Sequence, residues 1–537
     1  MGRRPEQLER PARAERAGEI AVYAVAAGLA SVAIYKARHF YEDDAYITLR
    51  YAQRWIDGFG PTWTDGERVQ GYTHPLWFLQ LTLLGRLGAN LVAASRALGV
   101  VYFGGIFAVF YKARVRLPSV LVLATLPGLS VWAIGGLETV SFAFWIILAA
   151  WLVARMVAVD HASMLAGAGA GAALAAATLT RPEGLGVTVV AAAWVLVSRR
   201  WRALAGLSVA FSVPVVAWEA FSVLYYGDLL ANPIYAKVTG YPLAQSFRDG
   251  LTYLTVTAPS WGYAVVASLL LLATTRRVGA LWMIAMTLPI IGGLLIGGGD
   301  HMVGARLVVP AAALVVFAAG VHGPVTPRWL APVLLGASVV LQAPSALLYE
   351  RHPDQAAVIG GIVGRFLERE LPKGSLAAVS VAGSTAFFAP SLRFIDTLGL
   401  NDRHIARRAV AVGITAWQAM AGHRKGDGEY VVSRAPDLVI LGAASGYLGL
   451  DDREWFLTDY ELLQSDPFRL GYRPYSFRLD EGDSRGLPNL HLTAYLRKGS
   501  NAADAMAASG IRVRGPWYTP ESHSLAATAS GVGFQMR

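Results

Sequence analysis

Two adjacent carboxylates, Asp43 and Asp44, open a polar, aromatic-rich stretch that runs to Trp77 and interrupts otherwise apolar sequence. Within it stand Arg50, Arg54, Glu67, Tyr72 and His74, residue types that move protons and hold anions. One Asp suffices to cap the helix predicted by the spacing of Ala45, Leu49, Ala52 and Ile56. The second, beside arginines and a histidine, points to chemistry. Further along, polar breaks between apolar runs bring in Glu138, Arg181 with Glu183, Asn232 with Tyr235 and Lys237, and Asp300-His301 with Arg306. Ionisable residues at membrane depth are costly and mark function. A mixed surface of acids and bases at one membrane face suits an anionic lipid phosphate and a hydroxyl nucleophile.

The elements that must position these groups are helices. Of the 537 residues 54% are hydrophobic, and apolar runs recur at 19–36, 97–111, 118–134, 138–156, 163–179, 184–198, 203–225, 261–275, 278–297, 302–321 and 328–349. This predicts a polytopic α-helical membrane protein with about eleven transmembrane helices. Clusters at Lys112–Arg116, Arg199–Arg202 and Arg276–Arg277, with the arginines before residue 17, place the N-terminus in the cytoplasm. The loop 37–74 and everything after 350 then face outward from a plasma membrane, provided that 75–96 makes no net crossing and lies in the membrane plane or re-enters. The net charge of +10 is accounted for by these topological clusters, so nucleic acid is not an expected partner. There is no cysteine, which excludes disulfides and thiolate metal sites. Gly58 and Gly60 are expected to stop the first-loop helix, and Gly297–Gly299 reads as a turn more readily than as a phosphate cradle.

From about residue 350 the pattern becomes that of a soluble, extracytoplasmic α/β domain. A helix is expected over Asp354–Glu370 and strands over 376–382, 392–396 and 437–442. The chain therefore divides into a transmembrane domain at 1–349, an α/β domain at 350–499 and a weakly patterned tail at 500–537. Loops at Ile395–Asp402 and Gly422–Arg424 are either acceptor-binding segments or ordinary turns.

Taken together, Asp43-Asp44 with Ile47 and Leu49-Arg50, Gly58-Phe59-Gly60-Pro61, Gly66-Glu67-Arg68-Val69, Thr73 with Trp77, Gly136-Leu137-Glu138-Thr139, Arg181-Pro182, Asn232-Pro233, Ala236-Lys237 and Arg306-Leu307 with Pro310 resemble the polyprenyl-phosphate-dependent membrane glycosyltransferases of the GT-C superfamily. Within it they resemble the mycobacterial terminal arabinofuranosyltransferases. Gln70 departs from the expected Glu, and His74 stands where relatives often carry Asn. The resemblance implies a GT-C fold whose first outer loop carries the catalytic Asp, a polyprenyl-phosphate sugar donor, and a cell-envelope glycan acceptor. A polyprenyl phosphate leaves as a stabilised anion, so one carboxylate base plus cations on the phosphate suffices.

Asp43 is the expected base. Asp44, immediately before Ala45, is the expected cap and either orients the acceptor or shares a divalent cation such as Mg2+ or Mn2+ with Asp43. Arginine forks and a lysine point charge suit phosphate, so Arg181, Lys237 and Arg306, with His301, are expected on the donor. Arg50, Glu67, Tyr72, His74, Glu138, Asn232 and Asp300 are the expected substrate contacts. The competing reading is a transporter or flippase of a lipid-linked sugar, but such proteins place ionisable groups near the bilayer midplane and often carry internal repeats. Here the groups sit at one face, and no repeat is visible.

Overall fold

A computed structural model describes residues 13–275, 277–324, 354–411, 413–448, 456–479 and 489–513, with a few helical positions between 333 and 340. The chain is a multi-pass helical protein with a C-terminal α/β domain. In order, the first half comprises α1 (Arg13–Lys36), α2 (Asp43–Ile56), α3 (Pro75–Arg86), α4 (Leu91–Lys112), α5 (Leu117–Ala124), α6 (Pro127–Trp132), α7 (Thr139–Val157) and α8 (Met164–Thr180). It continues with α9 (Glu183–Val197), α10 (Trp201–Tyr226), α11 (Asn232–Val238), α12 (Leu243–Ala273), α13 (Val278–Ala285), α14 (Leu288–Gly297) and α15 (Val309–His322).

Among the described residues, six segments are long and apolar enough to cross a membrane: α1, α4, α7, α10, α12 and the continuous α13–α14 run. The shorter apolar helices α8, α9 and α15 join them. The run at 118–134, expected as one span, is instead the two short buried helices α5 and α6, because Pro127 lacks the N–H that would continue α5. Most of the expected run at 328–349 lies outside the described residues. Small residues let α8 and α10 approach closely: a side chain at Gly167, Gly171 or Gly206 would strike the facing helix's backbone. Residues 75–90 contribute the short α3, which starts at Pro75 behind His74, and the spanning α4 begins at Leu91.

In the C-terminal domain Asp354 caps α16 (Gln355–Glu370), accepting from the Ala356 N–H at 2.9 Å. Phe366 of this helix meets Phe477 of the sheet at 5.7 Å. The strands are β1 (Leu376–Val379), β2 (Arg393–Asp396), β3 (Leu438–Val439), β4 (Tyr472–Arg478), β5 (His491–Arg497) and β6 (Ile511–Arg512), in the order β2-β1-β3-β5-β4-β6. β1 runs parallel to β2 and β3, and the remaining pairs are antiparallel. The domain does not end at 499. Ser500 caps a helix over Asn501–Ala507, and β6 then forms the sheet edge by pairing with β4. Both residues of β6 are exposed, so its ladder bonds leave no apolar signature in the sequence. The rest of the expected tail lies outside the described residues.

α2 departs most from its amphipathic pattern. Ala45, Leu49 and Ala52 are buried as expected, but so are Arg50 and Arg54. The C-terminal domain covers the face that would otherwise meet solvent.

Candidate active site

The up-and-down course of the helices brings the polar breaks between them to one end of the bundle, where the C-terminal domain closes over them. The two aspartates that begin α2 have separate fates there. Asp43 is buried, and its carboxylate accepts the Ser384 N–H at 2.7 Å and the Gly383 N–H at 3.0 Å, at the start of a short helix, Ser384–Phe387. Its own N–H donates to Asp354 at 2.7 Å. Burial, reinforced by the charge of Asp354, pushes the Asp43 carboxyl up to about 7 against the lowering effect of the Ser384 hydrogen bonds.

Asp44 is partly exposed and has no hydrogen-bonding or ionic partner among the described residues. It caps nothing, since the residue before α2 is Glu42 and no side-chain cap bond forms there. Asp43 thus caps a helix in the other domain, and Asp44 is the available carboxylate.

Asp44 stands within electrostatic reach of Arg306 and His74. Arg306 gives two hydrogen bonds to one oxygen of Asp300, at 2.6 and 2.9 Å, and lies over the Trp132 ring at 5.6 Å. Burial disfavours the ionised Asp300, yet Arg306, His301 and Lys237 together hold its carboxyl below the usual carboxylate range. The Thr48 hydroxyl lies 2.6 Å from His74 Nε2, and His74 Nδ1 lies 3.2 Å from Glu138 Oε2. That arrangement fits a neutral imidazole with its proton on Nδ1. Burial lowers the His74 pKa, in keeping with this.

Arg181 bridges Glu138 at 2.9 Å and Glu183 at 2.7 Å. Although burial alone would raise it, His74, Arg181 and Arg306 hold the Glu138 carboxyl at about 2. The terminal nitrogens of Arg181 are thus engaged by carboxylates, and its observed role is to fix Glu138 rather than to reach out. Lys237 has no side-chain partner among the described residues. It adds its charge to Asp300 and His423.

Of the other expected substrate contacts, Arg50, Asn232 and Glu67 hold the domains together, and Tyr72 packs within the first domain. Arg50 donates to the carbonyls of Trp63 at 2.6 Å, Leu392 at 3.0 Å and Ala386, so its fork grips the 386–392 segment. Tyr72 is buried against Tyr226, their hydroxyls 2.9 Å apart. Asn232 gives its amide to the carbonyls of Gly399, Leu400 and Asp402 at 2.8 to 3.1 Å. Glu67 pairs with Arg434 at 2.8 Å, at the far side of the first loop. Gln70, the departure from the expected Glu, is buried between Ser222 and the Tyr72 carbonyl, where a charge would be stranded.

Backbone amides occupy both oxygens of Asp43, and among the described residues no three His, Asp or Glu side chains gather as metal ligands. The Gly297–Gly299 run is a helix end with Gly298 in the left-handed region at φ +81°, and Tyr253 and Arg424 fill the space beside it. The Gly422–Arg424 loop, expected as an acceptor-binding segment or a turn, carries His423. This histidine enters from the C-terminal domain with its ring 4.8 Å from His301 and stacks on Phe456 at 5.4 Å. Its neighbour Arg424 anchors it by donating to Asp249 at 3.0 Å and to the Lys237 carbonyl at 3.1 Å.

Comparison with known proteins gives three findings. A protein-family profile described as a domain of unknown function (DUF8728) matches residues 349–507. The terminal beta-(1->2)-arabinofuranosyltransferase of Mycobacterium tuberculosis (strain ATCC 25618 / H37Rv) is 26% identical over 221 residues, a match covering 37% of this chain and 35% of the relative. The chain thus matches about a third of that relative's length. Crystal structures of ArnT from Cupriavidus metallidurans are similar in shape: the form bound to undecaprenyl phosphate has TM-score 0.49 and 15% identity, covering 70% of this chain and 86% of ArnT. The apo form has TM-score 0.47 and 14% identity, covering 71% and 86%.

Proposed function

We propose that this protein is a GT-C-type glycosyltransferase that moves a sugar, arabinofuranose by analogy with the mycobacterial relative, from a polyprenyl-phosphate donor to a cell-envelope glycan at the outer face of the plasma membrane. The observation that carries this reading is the available carboxylate of Asp44 beside Arg306, at a bundle end where Lys237 also lacks a side-chain partner among the described residues. Asp44 takes the proton of the acceptor hydroxyl, and that oxygen bonds to the anomeric carbon. The bond from that carbon to the phosphate oxygen breaks, and the phosphate leaves as an anion that needs no proton. One carboxylate is then enough where a glycoside hydrolase needs a pair.

Arg306, held in place by Asp300, joins Lys237 and His301 to stabilise the charge that develops on the phosphate. Glu138 and Arg181 orient His74 on the acceptor side. Arg116, Arg277 and His322 sense one another at the opposite end of the bundle. That distribution supports a cytoplasmic basic end and an outer catalytic end.

The test is transfer from a radiolabelled polyprenyl-phosphate sugar to an oligosaccharide by purified protein in detergent. A new glycosidic bond formed without any second compartment is the expected result. Label that only crosses a sealed membrane, with no bond made, would instead identify a transporter.

A further inference from the structure

A cavity of about 710 Å³ opens between the Gly66–Val69 turn of the first loop and the C-terminal domain around His404 and Tyr430, and Asp44 does not line it. We infer that this cavity holds a stretch of the acceptor glycan some sugar units away from the reacting hydroxyl, an inference that rests on the glycosyltransferase reading.

The wall chemistry favours a neutral sugar chain over an anion. Arg403 and Arg407 pair with Asp228 at 2.8 and 2.7 Å, and Arg408 pairs with Glu461 at 2.7 Å. With Asp427 at 3.3 Å from Arg408, the three arginines face three carboxylates. Fixed ion pairs present donors and acceptors side by side, and a sugar hydroxyl, which both donates and accepts, can engage both. One terminal nitrogen of Arg407 is buried without a hydrogen-bond partner among the described residues. His404 and Tyr430 stack with ring centroids 4.1 Å apart, and the exposed His404 offers a flat face for a sugar ring.

The cavity is also joined to the reaction centre. Arg407 lies over the ring of Tyr235 at 4.2 Å. Tyr235 sits on α11, whose far end carries Lys237 beside Asp300. From Asn232 to Lys237 that helix rises only about 8 Å, so one oligosaccharide can reach from the cavity toward the phosphate-binding end.

The experiment offers acceptor oligosaccharides of increasing length to the full-length protein in detergent, unaltered and as His404→Ala and Tyr430→Ala. Because His404 is exposed, its variant tests the site without disturbing the core. KM for long acceptors is expected to rise roughly 3–10-fold, the scale of one or two lost hydrogen bonds, while KM for the shortest acceptor and for the donor stays put. Equal effects on short and long acceptors, or none in either variant, would overturn the inference. Calorimetric binding of the longest oligosaccharide to Asp44→Asn protein, with and without His404→Ala, separates the two failures. Binding that depends on His404, together with no transfer by the unaltered protein, supports the cavity and removes the catalytic reading. Transfer without length dependence removes the cavity alone.

Discussion

The seam between the first loop and the C-terminal domain, and the charge cluster at the end of the bundle, are built from the same residue types. In the seam Asp43, Arg50 and Asn232 meet backbone amides and carbonyls, which have no charge to change and no freedom to move. In the cluster Arg306, Arg181 and Glu138 meet other side chains, leaving Asp44 and Lys237 without such partners among the described residues. A buried polar group satisfied by backbone is a fastener, whereas one satisfied by ionisable neighbours belongs to a tunable field. Adjacent residues, Asp43 and Asp44, fall on opposite sides of that line.

The comparison is sharpest in the aspartates themselves. Asp44→Asn is expected to lower the transfer rate about 10²–10⁴-fold with unfolding temperature unchanged, because a positioned base is lost and no structural bond is. Asp43→Asn should do the reverse, lowering the unfolding temperature while turnover per folded molecule persists. Initial rates and thermal unfolding of both variants in detergent check the pair, and a normal rate for Asp44→Asn would break it.

Arg50→Ala strands several buried carbonyls at about 1–3 kcal/mol each, so the second-largest effect is a loss of domain docking. It should appear as proteolytic release or early melting of the C-terminal domain. A selective rise in donor KM without that instability would return Arg50 to the substrate.

The Asp43 carboxyl, at about 7 in the fold against an ordinary 3.8, binds its proton more tightly folded than unfolded. Its contribution is therefore most favourable below about pH 4 and declines as pH rises toward 7. Unfolding temperature followed across that window should fall in the unaltered protein and follow a flatter course in Asp43→Asn. Parallel curves would mean that Asp43 is not the titrating group of the seam. The smallest effect belongs to Asn232→Ala, which leaves carbonyls of the 399–402 loop unpaired for about 1–3 kcal/mol and should leave both KM values alone. Urea unfolding and steady-state kinetics measure the two halves of that statement.

Composition and periodicity by themselves determined the apolar helices, the extent of α2, the helix beginning after Asp354 and the existence of strands β1 and β2, because each depends on local spacing and on partition into an apolar medium. Residue types at the breaks also located the charged end of the bundle. Only the tertiary structure decided which charges are fasteners. Arg50 finds the carbonyls of Ala386 and Leu392 more than 330 positions away, and Asp43 finds its amides 340 and 341 positions away. No helical period carries that information: whether a carboxylate beside a helix start is tied down or free depends on what the rest of the chain places against it, and here the C-terminal domain settles on Asp43 and leaves Asp44 open.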